Sequence, residues 1–249
     1  MPATCDIFIR SYWKDLAWLE HCLAAIARFC RGFREVIVVV PRATRPWLAR
    51  HPDLGRDLDL RLEFCVDYRD DYLGQQATKL YADTRSDADF ICHIDSDCIV
   101  SRQLTPEDLV PAGKPVVVTR PYAQLGRHWP WQRPTEQFLG WPVSHDFMQR
   151  PPFTFPRSLY AALRAHALAV HGVALDQYVT TRPARGFSEF NALGAYARAR
   201  CPDDFVWIDD GVDDPGPPPC RWYWSWAGLD EATEAEISAL LSHGEGDHP

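Results

Sequence analysis

The chain lacks any apolar run long enough to cross a membrane, and it lacks the usual signs of a secretion signal. No stretch of about 18 consecutive apolar residues occurs in the sequence. The opening residues, MPATCD, supply neither the basic start nor the apolar core of a signal peptide. We therefore expect a cytoplasmic protein without a transmembrane segment.

Cysteine pairs at metal-binding spacings are absent as well. The eight cysteines show no spacing typical of zinc sites or redox motifs, and several of them lie inside apolar runs. A buried free cysteine behaves as a small hydrophobic residue. We therefore expect reduced core cysteines rather than a disulfide framework.

An overall excess of basic residues is also missing, since the net charge is -8. This balance argues against a general nucleic-acid binder. Residues 118–200 are an exception, because ten arginines against four acidic side chains give this segment a local charge of +6. The segment therefore suits an anionic partner.

The sequence does contain an alternation of strand and helix patterns. Its 249 residues, 46% of them hydrophobic, suffice for one large domain or for a domain with an appended lobe. The alternation specifies an α/β fold, with a mostly parallel sheet flanked by helices and joined by right-handed crossovers. Apolar runs predict strands at residues 7–9, 35–41, 60–66, 90–94 and 115–119, and helical spacing predicts helices at residues 14–29 and 75–83.

The second half of the chain is less regular. Residues 120–156 are rich in Trp, Pro, His and Arg and show little periodicity, which indicates a boundary near residue 120. The patterns beyond this segment predict helices at residues 157–171, 188–198 and 230–241, a strand at 205–208 and an irregular proline-rich loop at 213–219.

A short acidic motif, Asp95-Ser96-Asp97, follows the apolar run at residues 90–94. Two other Asp-x-Asp sequences occur, at residues 57–59 and 87–89, but neither ends a buried strand. The period of a strand sends Asp95 and Asp97 to one side and Ser96 to the other, so two hard oxygen ligands converge on one divalent cation. Open α/β sheets bind ligands beyond the carboxyl ends of their strands, where this motif falls. The alternative interpretation is a solvated turn between two strands.

The motif also contributes to a family resemblance. Together with Arg10-Ser11-Tyr12 at the end of the first strand and the segment QQATKL at residues 75–80, it resembles the GT-A class of nucleotide-sugar glycosyltransferases over about the first 120 residues. The resemblance implies a Rossmann-like GT-A fold that transfers a sugar from a nucleotide-sugar, expected to be a UDP-sugar, to a hydroxyl acceptor. It further implies a nucleotide-sugar and metal-binding part at residues 1–120 and an irregular Trp- and Pro-rich acceptor lobe at residues 121–249 of the same domain.

The resemblance also implies a metal cofactor. In this family the acidic pair holds Mn²⁺ or Mg²⁺ against the donor diphosphate. We expect Asp97 to bind the metal and Asp95 to bind either the metal or the donor. A third ligand is expected from the carboxyl-terminal part, where the candidates are Asp209, Asp210 or a group near Ser225.

The donor site is expected to include the end of the first strand. Arg10, Ser11 and Tyr12 would meet the nucleobase and ribose, by stacking in the case of Tyr12. The alternative for Tyr12 is packing on the following helix. Lys79 is expected to pair with a donor phosphate or with Asp83, four residues further along a helix.

Glu189 is the candidate for a catalytic base. Ser188 has the character of a helix cap, which would place Glu189 in the first turn of a helix, where inverting members of the family often carry the base. If the enzyme retains anomeric configuration, Glu189 would position the acceptor instead. A purely structural alternative is that a first-turn glutamate stabilises the helix dipole.

An aromatic and basic cluster supplies the candidate acceptor site. The cluster comprises Arg127, His128, Trp129, Trp131, Arg133 and Trp141, of which the first four are the expected acceptor-binding residues. Aromatic faces stack on sugars and bases, and arginine holds phosphate. The acceptor would be a glycan, a lipid-linked glycan or a hydroxymethylated pyrimidine of DNA. The alternative is a Trp-rich packed lobe without a binding role.

Two other functional classes compete with the transferase. The segment 94–99 also resembles the nucleophile motif of haloacid-dehalogenase-like phosphatases, but that motif normally ends the first strand of its domain, whereas two strand-helix units precede it here. A lectin-like module would use the tryptophans but leave Asp95 and Asp97 without a purpose. The sequence therefore favours an active transferase.

Overall fold

The computed structural model of the chain describes residues 3–126 and 131–242. Its strands are β1 (Cys5–Arg10), β2 (Val36–Pro41), β3 (Leu60–Cys65), β4 (Phe90–His93), β5 (Cys98–Val100), β6 (Val116–Pro121), β7 (His145–Asp146), β8 (Phe153–Pro156), β9 (Val206–Asp209) and β10 (Cys220–Trp222). Its α-helices are α1 (Leu16–Phe29), α2 (Arg45–Leu48), α3 (Asp71–Lys79), α4 (Pro106–Leu109), α5 (Gln132–Leu139), α6 (Arg157–His171), α7 (Leu175–Thr180), α8 (Glu189–Arg200) and α9 (Glu231–Ser242).

A five-stranded sheet in the order β3-β2-β1-β4-β8 forms the centre of the fold. Strands β1 to β4 pair in parallel, and β8 pairs antiparallel with β4 at the edge. Every residue of β1 and β2 is buried, as expected of apolar strands that are covered on both faces. The prediction of a mostly parallel sheet flanked by helices is confirmed.

Alternate side chains of the central strands enter two separate hydrophobic cores. Ile7 and Ile9 of β1 pack in a core that includes the apolar face of α1. Phe8 packs in a second core, to which α3, α6 and α8 contribute. Because successive side chains of a strand point to opposite faces, this division places helices on both sides of the sheet.

Two smaller sheets complete the part of the fold that the structure describes. Strand β6 pairs in parallel with β9 and antiparallel with β7. Strand β10 pairs antiparallel with β5, where Trp222 lies opposite Cys98. This last pairing lays the chain that follows β10 against the turn between β4 and β5.

The structure differs from the sequence-based elements mainly around α3 and in the segment 120–156. Helix α3 begins at Asp71 and ends at Lys79, earlier than the predicted range 75–83, because the Asp70 side chain caps it by accepting from the Leu73 amide at 3.3 Å. The segment 120–156 contains α5, β7 and β8, none of which the sequence patterns predicted. Strand β8 even joins the central sheet. The functional division at residue 120 stays a prediction.

The remaining expectations concern cysteines and membrane spans. All eight cysteines are free, and all except Cys30 and Cys201 are buried. In the two described ranges no helix combines the length and apolarity that a membrane span requires.

The carboxylate of Asp6, in the middle of the sheet, is fully buried. It accepts hydrogen bonds from Arg34 Nε at 2.9 Å and Arg34 Nη2 at 2.7 Å, and from Ser86 Oγ at 2.6 Å. A buried charge is tolerated when it is paired and hydrogen-bonded, so Arg34 and Ser86 allow an acidic residue inside β1.

Replacing Arg34 with alanine should therefore destabilise the fold. We expect Arg34→Ala to lower the free energy of unfolding by about 2 to 4 kcal/mol, because Asp6 loses its counter-charge and keeps only Ser86. The control Arg56→Ala removes an exposed ion pair with Asp53 and should cost less than about 1 kcal/mol. Urea denaturation measures both, and equal costs would contradict this account of Asp6.

Candidate active site

The strand order creates a crevice at the carboxyl ends of β1 and β4. From β1 the chain proceeds outward through β2 to β3, and it then returns to form β4 on the other side of β1. Open α/β sheets bind ligands where the strand order reverses in this way. A cleft of about 560 Å³ opens at this point. Its lining includes several residues selected from the sequence: Arg10, Tyr12, Lys79, Asp95, Asp97, Trp131 and Glu189.

Asp95 and Asp97 lie in the turn between β4 and β5 rather than on a strand. Strand β4 ends at His93, and the Cys98 amide closes the turn by donating to the Asp95 carbonyl at 2.9 Å. The prediction that Ser96 lies on the opposite side was therefore wrong, and buried Ser96 lines the same cleft. Both carboxylates nevertheless face the crevice, because the turn itself sits at its edge.

The segment after β10 holds Asp97 in place. Asp97 Oδ2 accepts from the Ser225 amide at 3.1 Å, and the Asp97 carbonyl accepts from the Tyr223 amide at 2.9 Å. The Ser225 hydroxyl also donates to Asp15 Oδ2 at 3.3 Å. Ser225 thus bridges two carboxylates of the cleft through its backbone and its side chain.

The pKa values of Asp97 and Asp15 are both raised above the usual range of an aspartate. Burial, followed by the nearby Asp95 carboxylate, raises the pKa of Asp97 to about 7. Burial also raises the pKa of Asp15 to about 6, and the Ser225 hydrogen bond only partly opposes this effect. Burial thus makes the charged forms of both carboxylates unfavourable, and a cation bound beside them would lower this cost.

Lys79 is the buried cation of the cleft, with only 3% of its side chain exposed. Its Nζ atom lies 2.5 Å from Asp95 Oδ1 and 2.9 Å from Glu189 Oε1, and it stands 4.9 Å from the centre of the Phe190 ring. Burial opposes the charge on this amine, but the two carboxylates outweigh burial and raise the pKa of Lys79. Lys79 therefore stays protonated between Asp95 and Glu189.

The alternative pairing of Lys79 with Asp83 was wrong. Asp83 instead accepts two hydrogen bonds of 2.6 Å from Arg164 on α6. Helix α3 ends at Lys79, so the helical spacing that this pairing requires does not continue to Asp83.

Glu189 occupies the first turn of α8, as predicted, and it is buried. Its Oε1 atom accepts a hydrogen bond from Lys79. Its Oε2 atom accepts at 3.1 Å from the side-chain amide of Gln76, when that amide is oriented with its nitrogen toward Glu189. Ser188 precedes the helix, but its side chain makes no capping hydrogen bond and instead accepts from Asn191 Nδ2 at 3.1 Å. The position of Glu189 is thus fixed by two partners from α3.

At the end of β1, Arg10 and Ser11 are held by contacts within the chain rather than left free for a donor. The Arg10 guanidinium forms a two-pronged ion pair with Asp71 and donates to the Ser11 carbonyl at 3.0 Å. The Ser11 side chain is buried and does not line the cleft, whereas Tyr12 does. Of these residues, Tyr12 is the most available to a ligand.

Of the predicted acceptor cluster, Trp131 lines the cleft. Arg127, His128 and Trp129 lie outside the described residues. The candidate third ligands Asp209 and Asp210 do not line the cleft, and Asp210 pairs with Arg120 at 2.5 Å and with Arg150 at 2.7 Å. Among those candidates, the region of Ser225 is the part that reaches the site.

Sequence reasoning missed an aromatic rim on the cleft. Trp222 and Trp224 stack with ring centres 5.1 Å apart, and Trp226 is 83% exposed at the same cleft. The tryptophan-rich run at residues 222–226 was visible in the sequence. Its place was not, because it depends on the long-range pairing of β10 with β5.

The residues present could hold a divalent cation only together with water and the phosphates of a ligand, as far as the described residues go. Within residues 3–126 and 131–242 no group of three or more His, Cys, Asp or Glu side chains is placed to hold a metal by itself. Asp95 and Asp97 can offer one or two carboxylates, and Mg²⁺ commonly completes such a set with water and substrate phosphates. A cation at this site would thus depend on the phosphates of a bound ligand.

Comparisons with known proteins agree with the observed fold. Residues 22–194, more than half of the chain, match the model of a family described as a family of unknown function, DUF6492. No curated protein matches the sequence. A crystal structure of the glycosyltransferase GlyE from Streptococcus pneumoniae TIGR4 superposes with a TM-score of 0.52 at 9% identity. The apo form of GlyE gives a TM-score of 0.50, also at 9% identity.

The match to GlyE has two limits that matter for function. It covers 97% of this chain but only 61% of that chain, so this chain spans less than two thirds of the neighbour. At 9% identity the likeness shows a shared fold, an α/β architecture with a mostly parallel central sheet flanked by helices.

The arrangement around Lys79 predicts a strong effect on stability. We expect Lys79→Met to lower the free energy of unfolding by about 3 to 5 kcal/mol, because Asp95 and Glu189 would then face each other without a counter-charge. Adding Glu189→Gln removes one of these charges and should recover at least about 1 kcal/mol in a double-mutant cycle. Urea denaturation of the four proteins measures this coupling, and strictly additive costs would contradict it.

Proposed function

The chain belongs to the DUF6492 family of unknown function, and we propose that it is a metal-dependent glycosyltransferase. It transfers a sugar from a nucleotide-sugar donor, a UDP-sugar in our proposal, to a hydroxyl acceptor. The observation that carries this proposal is the position of Asp95 and Asp97 at the crevice between β1 and β4, in one cleft with Lys79 and Glu189. The fold shared with GlyE, a protein described as a glycosyltransferase, adds support.

Asp95 and Asp97 are the groups that would hold Mn²⁺ or Mg²⁺. A bound divalent cation would stabilise the negative charge that develops on the departing nucleoside diphosphate. Burial is the largest cause of the raised pKa of Asp97 and the Asp95 carboxylate is the next, and a cation bound between the two carboxylates would oppose both effects. Lys79 compensates Asp95 only in part, since it is shared with Glu189.

The end of β1 would hold the nucleoside. Tyr12 lines the cleft and offers a ring for stacking on the base. The Arg10 guanidinium is engaged by Asp71 and by the Ser11 carbonyl, so it fixes the backbone from which Tyr12 extends. Arg10 and Ser11 would thus act on the donor mainly by positioning Tyr12.

Glu189 is the proposed base that takes the proton from the acceptor hydroxyl. Lys79 and Gln76 occupy one lone pair on each of its oxygens, and a carboxylate has further lone pairs that can accept a proton. These two contacts fix the side chain relative to Asp95, which Lys79 also binds. The donor-binding turn and the proposed base are therefore held in one geometry, as a reaction between two bound substrates requires.

The aromatic rim would receive the acceptor. Trp131, Trp222, Trp224 and Trp226 all line the cleft, and flat aromatic faces suit the apolar faces of sugar rings. A glycan, free or lipid-linked, fits this rim, as does a hydroxymethylated pyrimidine of DNA. Of the basic residues in the segment 118–200, Arg185 is the described one that lines the cleft, so the basic character of this segment gives an anionic acceptor little support here.

Metal-dependent donor binding provides the first test. At 100 times its dissociation constant, a UDP-sugar with Mn²⁺ should add about 2.7 kcal/mol to the stability of the wild-type protein. Asp97→Asn should abolish this gain, although the ligand-free variant should be at least as stable as wild type because a strained buried carboxylate is removed. The measurement is thermal unfolding with and without metal.

The control for this test is Asp203→Asn, which removes an exposed carboxylate outside the cleft and should respond as wild type does. If no nucleotide-sugar stabilises the wild-type protein in the presence of Mn²⁺, the transferase proposal fails and the phosphatase alternative regains weight.

The role of Glu189 can be tested separately. We expect Glu189→Gln to lower kcat by at least about 100-fold while donor affinity stays unchanged, because an amide cannot take the acceptor proton. Glu231→Gln is a matched control, since Glu231 also lies in the first turn of a helix but is exposed and far from Glu189 in the sequence. A rise in the acceptor KM without a fall in kcat would assign Glu189 to acceptor positioning, and unchanged kinetics would remove it from the site.

A further inference from the structure

Three cations line the cleft in the described part of the chain: Arg10, Lys79 and Arg185. Arg10 is paired with Asp71, and Lys79 is paired with Asp95 and Glu189. Arg185 is exposed, and within residues 3–126 and 131–242 it has no carboxylate at ion-pair distance. Among the three cations of the cleft, Arg185 is therefore the one whose charge can pair with a ligand.

The cleft lining carries more carboxylates than cations in the described part of the chain, and this makes the free charge of Arg185 important for an anionic ligand. Among the described residues, five carboxylates line the cleft, from Asp15, Asp71, Asp95, Asp97 and Glu189. Such a surface repels an anionic ligand, because like charges raise the cost of binding. A ligand that carries phosphate therefore needs positive charge beyond a metal at Asp95 and Asp97.

The backbone at Arg185 is also unusual. Its φ angle is +61°, in the left-handed region that favours glycine and asparagine. Arg185 is the third residue of a turn that closes through a 2.8 Å hydrogen bond from the Gly186 amide to the Pro183 carbonyl. Turns of this kind that need a positive φ at the third residue normally have glycine there. An arginine in this position is thus conformationally unfavourable, which is common where a side chain serves a ligand.

Glycine is used one residue later for a different reason. A Cβ atom at Gly186 would lie 2.8 Å from the Pro183 carbonyl oxygen, which is too close for any other residue. The turn is therefore tight, and it holds Arg185 at the edge of the cleft immediately before Phe187 and helix α8.

We propose that Arg185 binds the phosphate oxygens of the donor diphosphate and so forms a second anion-binding element of the cleft, apart from the metal. This inference rests on the proposed function and adds a specific residue to it. The planar guanidinium suits phosphate because it can donate two parallel hydrogen bonds. Its charge also offsets the acidic lining, so it contributes to the affinity for the nucleoside diphosphate as well as for the intact donor.

The test uses Arg185→Gly, a change that removes the side chain and suits the positive φ. We expect its thermal midpoint without ligand to be no lower than that of wild type. Its affinity for UDP in the presence of Mn²⁺ should fall by about 10- to 100-fold, the range expected for a lost charge-assisted pair. Calorimetric titrations with UDP, GDP and inorganic pyrophosphate measure this loss, and the loss for pyrophosphate should match that for the nucleotide.

Two further variants define the interpretation. Arg182→Ala removes the same charge from the same connection between α7 and α8, but Arg182 does not line this cleft and stacks on Tyr178 at 4.4 Å. It should therefore bind UDP as wild type does. Arg185→Lys keeps the charge without the two-pronged geometry and should fall between wild type and Arg185→Gly.

The outcomes separate this inference from the proposed function. Wild-type affinity in Arg185→Gly, together with Mn²⁺-dependent UDP or GDP binding by the wild-type protein, would overturn the role of Arg185 and leave the transferase proposal standing. An equal loss in Arg182→Ala would overturn it too, by showing a general charge effect. If the wild-type protein binds neither nucleotide, both proposals fall.

Discussion

The cleft depends on one buried ammonium group. Lys79 joins Asp95, which follows β4, to Glu189, which begins α8, and these elements come from distant parts of the chain. Two carboxylates at this depth would repel each other and would pay the full cost of desolvation without the amine between them. The same contact that permits their burial also fixes the distance between a proposed metal ligand and a proposed base. Stability and chemistry at this site therefore rest on the same atoms.

A second constraint comes from the carboxyl-terminal segment. Asp97 is held by the backbone of Tyr223 and Ser225, and the neighbouring tryptophans form the exposed rim of the cleft. The same short segment therefore contacts the acidic turn and carries the aromatic rings, which brings the proposed donor and acceptor sides next to each other.

Much of the fold was predictable because its elements are long or strongly apolar. The strands β1 to β4 and the helices α1 and α6 were recognisable from local periodicity, and burial on both faces explains the continuous apolar run of β2. Strands β7 and β8 were not recognised, because they lie among Trp, Pro, His and Arg residues rather than in a continuous apolar run such as that of β4. The start of α3 was missed because a single aspartate cap, rather than the hydrophobic pattern, determines it.

The sequence by itself determined the alternation of strands and helices over the first hundred residues, the acidic pair Asp95 and Asp97, and the place of Glu189 at a helix start, because each of these follows from residues near one another in the chain. Only the tertiary structure decided that Lys79 pairs with Asp95 and Glu189 rather than with Asp83, that Ser225 binds Asp97, and that Arg185 is left exposed at the same cleft. Those contacts join elements that are far apart in sequence. Which partner a charge finds depends on the packing of whole helices and strands, and local patterns carry no information about it.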